Sequence, residues 1–257
     1  MNGLARLKAF WRIARQRARS EHDYLAFQAF QARWLIEYLG DHGVSLEGKR
    51  MLDLGSGVGG YSLEFARHAA RVVSVDLMQP GRPEAHELPL WQVSGNALKV
   101  PLRDGAFEVV FCASLIEHVR EPEVLLAEIY RLLRPGGVAY VSFPPYWSPP
   151  GGHEFTPYHY LGERLALRLV ARRRVVAGWV KTMYASNDEA RSFEDLYAGW
   201  GLYRMTIGKM RRLIAAGDFT CEDMSTRYMP ISFIRWPVLN ELLTWHAQFL
   251  LRKPGSS

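Results

Sequence analysis

The stretch MLDLGSGVGGYSLEFARHAARVVSVD, Met51 to Asp76, restricts what this chain can fold into more than any other segment. A short, mostly apolar run from Met51 to Leu54 leads into glycines at alternate positions, Gly55, Gly57 and Gly59. A segment of helical pattern comes next, and then a second apolar run, Val72 to Val75. Strand, turn, helix and strand are the natural reading of that order. Glycines so spaced let the backbone approach a ligand closely.

The rest of the chain repeats the alternation. Trp91–Val93, Val109–Phe111 and Val138–Phe143 are further short apolar runs, separated by segments long enough for helices or crossovers. This predicts an α/β fold, a mostly parallel sheet with helices on both faces. A helix is expected from Glu21 to Gly43, with Tyr24, Phe27, Ala32, Leu35 and Leu39 near one face. Another is expected from Pro122 to Arg134, stopped by Pro135, Gly136 and Gly137. The regularity lapses after Phe143, and Pro144 to Met205 reads as an inserted lid. The core resumes with a helix at Thr206–Ala216, a strand at Thr220–Arg227 and a last strand at Ala247–Arg252. The expected organisation is N-terminal helices (1–43), a ligand-binding core (44–143), a lid carrying substrate contacts (144–205) and a C-terminal completion of the core (206–257).

With 257 residues, 48% of them apolar, the chain can bury one full core with a lid. Its two cysteines, Cys112 and Cys221, lack CxxC spacing, so neither a disulfide framework nor a zinc site is expected. The sequence shows no uninterrupted apolar run of about 18 residues and no apolar leader, so a cytoplasmic protein is expected. The net charge of +6 comes from Arg6, Lys8, Arg12, Arg15, Arg17 and Arg19, which precede the first acid, Glu21. Leu4, Leu7, Trp11, Ala14 and Ala18 recur there at helical spacing and make a basic amphipathic helix. Such a helix can lie on an anionic membrane, grip nucleic acid or cap its own domain. An apolar segment near the other end, Ile231 to Leu251, carries Phe233, Ile234, Trp236, Leu239, Leu242, Leu243 and Trp245. Together the two ends suggest peripheral contact with the inner membrane surface. Nucleic acid is the less expected partner.

Which ligand the glycine loop holds is decided by its flanks. Gly55, Gly57 and Gly60 satisfy GxGxxG, and Asp76 follows Gly55 by 21 residues, as a nicotinamide site requires. A nucleotide triphosphate is excluded because no Gly-Lys-Ser/Thr follows the glycines. Asp53, two residues before Gly55, faces the ligand from the strand end. It would repel a pyrophosphate but attract the ammonium of S-adenosylmethionine (SAM), whose carboxylate can meet the N–H groups of the helix start.

Through LDLGSGVGG, VSVD, GNALKVPLRDGAFEVVFCASLIEHV and LLRPGGVAYVSFP, residues 50–143 resemble the class I SAM-dependent methyltransferases, with a type 11-like domain. The resemblance implies a Rossmann-like, doubly wound, seven-stranded sheet and SAM as cofactor. It also implies that Asp53, Gly55, Ser56, Gly57 and Gly59 line the methionine end, and that Asp76, with Leu77 beside it, takes the ribose hydroxyls. Asn96 and Ala97 would meet the adenine, and Cys112 and Ala113 would lie under the methionine. Many relatives have Asp where this chain has Asn96, whose side-chain oxygen still accepts a hydrogen bond.

SAM already carries its leaving group, so the protein must align a nucleophile and, for a hydroxyl, remove its proton. His118, in LIEHVREP beyond the fourth strand, and His153, in GGHEFTPYHYLG beside two glycines that can flex, are the candidate bases. Local packing, or a pairing of His118 with Glu117, is the competing reading of these residues. Glu154, Tyr158 and His159 crowd the same stretch as His153, yet no pair of helix-spaced histidines with a third acid marks a metal site. FPPYW, Phe143 to Trp147, follows the fifth strand and begins with Phe, unlike the Asn/Asp-Pro-Pro-Tyr/Phe motif of base-amino methyltransferases. The lid is rich in aromatics, among them Tyr146, Trp147, Phe155, Tyr160, Trp179 and Trp200, which suits a small-molecule, saccharide or lipid-linked acceptor, and the candidate histidine bases favour methylation on oxygen. The alternatives are an RNA-modifying methyltransferase, prompted by the basic N-terminus and Arg172–Arg174, and a NAD-dependent oxidoreductase.

Overall fold

The computed structural model describes residues 10, 12–15, 19–68, 71–77, 79, 81, 83–153, 156–161, 165, 202–227, 229, 231–237 and 239–255. Ser20 caps the first long helix, α1 (Glu21–Asp41), its Oγ accepting from the N–H of Asp23 at 3.1 Å. Glu21 and Asp23 place negative charge on its first turn, where the helix dipole favours it. Gly43, at φ +73, ends the run.

The chain then alternates as its pattern demands: β1 (Arg50–Leu54), α2 (Gly60–Arg67), β2 (Arg71–Asp76), β3 (Leu90–Ser94), β4 (Phe107–Ala113), α3 (Pro122–Leu132), β5 (Leu133–Phe143), α4 (Ile207–Ala216), β6 (Thr220–Thr226), the short α5 (Asn240–Leu243) and β7 (Ala247–Arg252). They form one seven-stranded sheet in the order β3-β2-β1-β4-β5-β7-β6. The first five strands pair in parallel, and β7 lies antiparallel between β5 and β6.

The strands are apolar on both faces because both are covered. On β1 and β4, Leu52, Leu54, Val110 and Cys112 join one core with Leu125, Ile129, Ile207 and Met210 from α3 and α4. The alternate residues Met51, Val109 and Phe111 join the other with Leu35, Leu39 and Phe65 from α1 and α2. Phe111 stacks on Tyr140 at 5.3 Å between ring centres, and Phe65 meets it edge-on.

The sequence reading departs furthest from the structure where α3 gives way to β5. α3 stops at Leu132, not Arg134, and Pro135, Gly136 and Gly137 belong to β5 rather than to a stop. A residue before proline is pushed to extended backbone, and Gly136 completes the strand end by donating to the carbonyl of Lys253 at 2.9 Å. The ends of the inserted stretch are tied together: the Tyr146 N–H donates to the Met205 carbonyl at 2.8 Å. Residues 162–164 and 166–201 lie outside the described residues, and with them Trp179, Trp200 and Arg172–Arg174; so do Glu154 and Phe155.

Of the basic N-terminal helix, Phe10 and residues 12–15 are described; Leu4, Leu7, Trp11 and Ala18 are outside. Phe10 and Ala14 are buried against Phe27 of α1, while Arg12 and Arg15 stay exposed. Among the described residues no helix is long and apolar enough to cross a membrane.

Candidate functional site

Strand order reverses between β1 and β4, and the crevice at their carboxyl ends is where such sheets bind ligands. The glycine loop lies at that edge. Its N–H groups at Gly55 and Ser56 donate to the Val75 carbonyl at 2.8 and 3.2 Å, which ties the loop to the end of β2. Gly57 has φ +54, and a Cβ built on it would meet nothing within 4 Å. The loop therefore turns past open space at the position where a ligand can come closest.

Two carboxylates bracket that space. Asp76, ending β2, accepts from the Gly57 N–H at 2.8 Å. Asp53, 1% exposed, accepts from the Ser62 hydroxyl of α2. Burial pushes the Asp53 carboxyl up to about 7 against the pull of Ser62, and the charge of Asp76 adds to the rise. Ser56 is buried as well, and its hydroxyl oxygen has no hydrogen-bond partner among the described residues. A buried cation-seeking carboxylate, an unsatisfied hydroxyl and an open glycine together fit a zwitterionic ligand head.

Leu77, the residue after Asp76, is 74% exposed and offers an apolar surface. Asn96 is exposed beyond β3, and its side-chain oxygen already accepts from the Leu98 N–H at 2.9 Å. That loop is pinned to α3, where Glu128 accepts from the Val100 N–H at 2.7 Å and Arg131 donates to the carbonyls of Val100 and Leu102. Ala97 is packed against the core there. Cys112 is wholly buried among core side chains, and burial raises its thiol far out of the reactive range. Only its backbone and that of the half-buried Ala113 are placed to meet a ligand.

The second cluster lies just past β4. Ser114 takes a left-handed φ of +53, uncommon for a non-glycine residue, and the chain then makes a tight turn at Ile116–His118. Leu115 abuts the glycine loop: a Cβ on Gly55 would come within 2.9 Å of its side chain. The structure brings His118 and His153 together, ring centres 5.1 Å apart and edge to face. Glu117 lies under them, 2% exposed, and among the described residues neither of its carboxylate oxygens has a hydrogen-bond partner on another residue. Burial pushes this carboxyl up to about 8. Its oxygen Oε1 is 3.9 Å from Nε2 of His153. Donor atoms of Glu117, His118 and His153 all lie within 4.8 Å of one another.

The glycines before His153 do not act as hinges. Both are buried, and a Cβ on Gly152 would sit 2.2 Å from Nδ1 of His159, so they are there for close packing. His159 belongs to that packing, its ring against Tyr146 and Tyr160. Sequence reasoning weighed Glu117 only as a partner of His118, and it missed its pairing with His153, 36 residues on. A carboxylate next to a histidine at a strand end was the only local signal.

Residues 52–141 match the family described as a methyltransferase domain. An uncharacterized methyltransferase of Mycobacteroides abscessus is 34% identical over 143 residues, 51% of this chain and 53% of that protein. A similar protein of Mycobacterium ulcerans is 33% identical, covering 53% of this chain and 55% of its own length. The chain thus spans about half the length of the curated relatives it matches. Among solved structures, an S-adenosylmethionine-dependent methyltransferase from Mesorhizobium loti aligns with TM-score 0.55 at 18% identity, covering 86% of this chain and 97% of that one. The 1,6-didemethyltoxoflavin-N1-methyltransferase of Burkholderia thailandensis, solved with S-adenosylhomocysteine, aligns with TM-score 0.53 at 17% identity, covering 87% and 76%. These structural likenesses are of fold.

Proposed function

We propose that this chain, whose residues 52–141 match the methyltransferase-domain family, is a class I SAM-dependent methyltransferase that transfers the methyl group of SAM to an oxygen of a small-molecule, saccharide or lipid-linked acceptor. The observation that carries this reading is the open Gly57 turn bracketed by the buried Asp53 and by Asp76. SAM, when bound, supplies a sulfonium methyl with its leaving group already in place. Asp53 would answer the ammonium of the methionine end, with the Ser56 hydroxyl and the open Gly57 turn beside it. Asp76 would take the ribose hydroxyls in place of, or in addition to, the Gly57 N–H it now holds. Leu77 would cover the adenine, and Asn96 and Ala97 would meet its edge with the atoms left after the local turn is satisfied.

At the acceptor end the chain must orient a nucleophile and accept its proton. His118 and His153 would do both, and the Glu117 carboxyl under His153 would stabilise that imidazole as it takes up the proton by giving up its own. The buried Asp53 also supports SAM over a dinucleotide, since a pyrophosphate would meet a carboxylate. Thermal shift and calorimetry with SAM, S-adenosylhomocysteine and NADH test the reading. Stabilisation by the first two alone is expected, and stabilisation by NADH alone would replace it with an oxidoreductase.

Where the acceptor comes from is suggested by the segment between β6 and β7. β6 runs parallel to β5, so this connection leaves and re-enters the sheet at the same edge as the glycine loop. Ile234 is buried there, but Ile231, Trp236, Leu239, Leu242, Leu243 and Trp245 are exposed. An apolar surface with tryptophans beside the site suits an acceptor held at an anionic membrane interface. Sedimentation with anionic but not neutral liposomes is the expected result; none with either at low salt leaves a freely diffusing acceptor.

A further inference from the structure

We propose that Glu117, His118 and His153 form a binding site for one divalent transition-metal ion of the zinc class. Three kinds of observation meet here. The donor atoms lie within 4.8 Å of one another, on a turn and a loop that the fold holds side by side. Ligands of a tetrahedral zinc ion are about 3.3 to 3.6 Å apart at metal distances of about 2.0 to 2.2 Å, so the donors need to close by little more than about 1 Å. Second, among the described residues no side chain or backbone group of another residue is hydrogen-bonded to either oxygen of the buried Glu117 carboxylate, although an ionisable group so deeply buried is normally satisfied. A bound cation supplies the missing partner.

Third, the donor chemistry selects the ion. Two imidazoles and one carboxylate suit zinc, cobalt, iron or manganese, whereas magnesium and calcium prefer all-oxygen shells. Three protein ligands leave a coordination position open, as catalytic rather than structural zinc sites do. The cluster is also next to the glycine loop through Leu115, which abuts Gly55. Sequence spacing did not reveal the site, because the third donor arrives from a loop beyond β5.

What the ion does there rests on the methyl-transfer reading, but its binding does not. A hydroxyl coordinated at the open position becomes more acidic, as water does on zinc. Its proton leaves to solvent, the oxygen–methyl bond forms, and the methyl–sulfur bond breaks with its electron pair going to sulfur. The two imidazoles then act as ligands, and proton removal no longer needs a free one.

The test is titration of the metal-free 257-residue chain with Zn²⁺, and with Co²⁺ followed by its visible absorption, with Mg²⁺ as control and SAM titrated in parallel. One Zn²⁺ per chain is expected, with no comparable Mg²⁺ binding. Glu117→Gln, His118→Asn and His153→Asn should each weaken Zn²⁺ binding about a hundredfold or more, since loss of even an outer-sphere partner costs 10- to 100-fold. Asn is chosen at position 153 because it tolerates the left-handed backbone, φ +47, found there. SAM binding by each variant confirms that it is folded. Zn²⁺ binding of equal strength in all three variants, or none in the parent protein, overturns the proposal and leaves the imidazoles as bases. Zn²⁺ binding without SAM binding instead sinks the methyl-transfer reading and leaves the metal site standing.

Discussion

Replacing Asp53 with Asn separates what the protein gains from this carboxylate and what it loses. The group is buried and its carboxyl is pushed from an ordinary 3.8 to about 7. A shift of about 3 units corresponds to about 4 kcal/mol of cost for holding the charged form in the folded state. Proton counting gives the sign. Below about pH 4 the carboxyl is protonated in both states and costs nothing. Between pH 4 and 7 the unfolded chain ionises it and the folded one does not, so wild-type stability falls by about 1.4 kcal/mol per pH unit. Above 7 the penalty is complete and constant.

The Asp53→Asn variant has no such titration, although the new amide carries a pH-independent cost for any donor left unpaired. The informative quantity is therefore the change in the mutant-minus-wild-type difference with pH. Urea unfolding of the SAM-free proteins should show the variant gaining about 3 kcal/mol on the wild type between pH 5 and pH 8. The same variant should bind SAM more weakly at pH 8, because the ammonium loses its counter-charge. Wild-type binding at pH 6 should release most of one proton from this group, and binding by the variant none. A difference that stays the same at the two pH values within about 1 kcal/mol would refute the idea that burial strains Asp53.

Other substitutions test other parts. Asp76→Ala should weaken SAM binding by about 1.5 to 3 kcal/mol through lost charged hydrogen bonds; calorimetry reads this, and a melting temperature lowered without SAM would report the lost hold on Gly57. His118→Gln should reduce turnover roughly a hundredfold while SAM affinity is unchanged, as measured by single-turnover methyl transfer and calorimetry. Gly152→Ala forces a Cβ to within 2.2 Å of the buried His159 ring, so circular dichroism should show destabilisation of about 1 to 3 kcal/mol, with a loss of activity caused by moving His153. Phe111→Ala, between Phe65 and Tyr140, should cost about 3 to 5 kcal/mol by urea unfolding.

The parallel sheet was legible because its signal is local and repeated. Apolar runs of strand length, glycines between Leu54 and Tyr61, and a Pro-initiated helix at Pro122 each act within a few residues, and the strands came out within one or two residues except at β5. There Leu133 to Gly137 read as a helix end, because proline and glycine stop a helix without specifying the next element; pairing of Leu133 with Phe107 made it strand. Gly57 and Asp76 could be read as loop and partner from spacing alone, since a β-α-β unit brings the strand end back beside the glycines.

Burial and convergence could not be read that way. Asp53 reads in sequence as an acid at a strand end; only the packing of α2, with Ser62 above it, removes water and raises its carboxyl. Gly151 and Gly152 look like hinges until Pro145 and His159 are seen filling the space a side chain would need. Asn96 reads as an adenine contact, and the structure gives its oxygen a local partner first. His118 and His153 were each singled out as imidazoles, but nothing in their spacing says that they meet over Glu117. Strand-and-helix alternation and the loop at its switch point are written in the order of residues, because backbone preference and hydrophobic period are short-range. The Glu117–His118–His153 cluster and the strained charge of Asp53 exist only once the chain has folded, because desolvation and side-chain convergence depend on what distant segments place in the same volume.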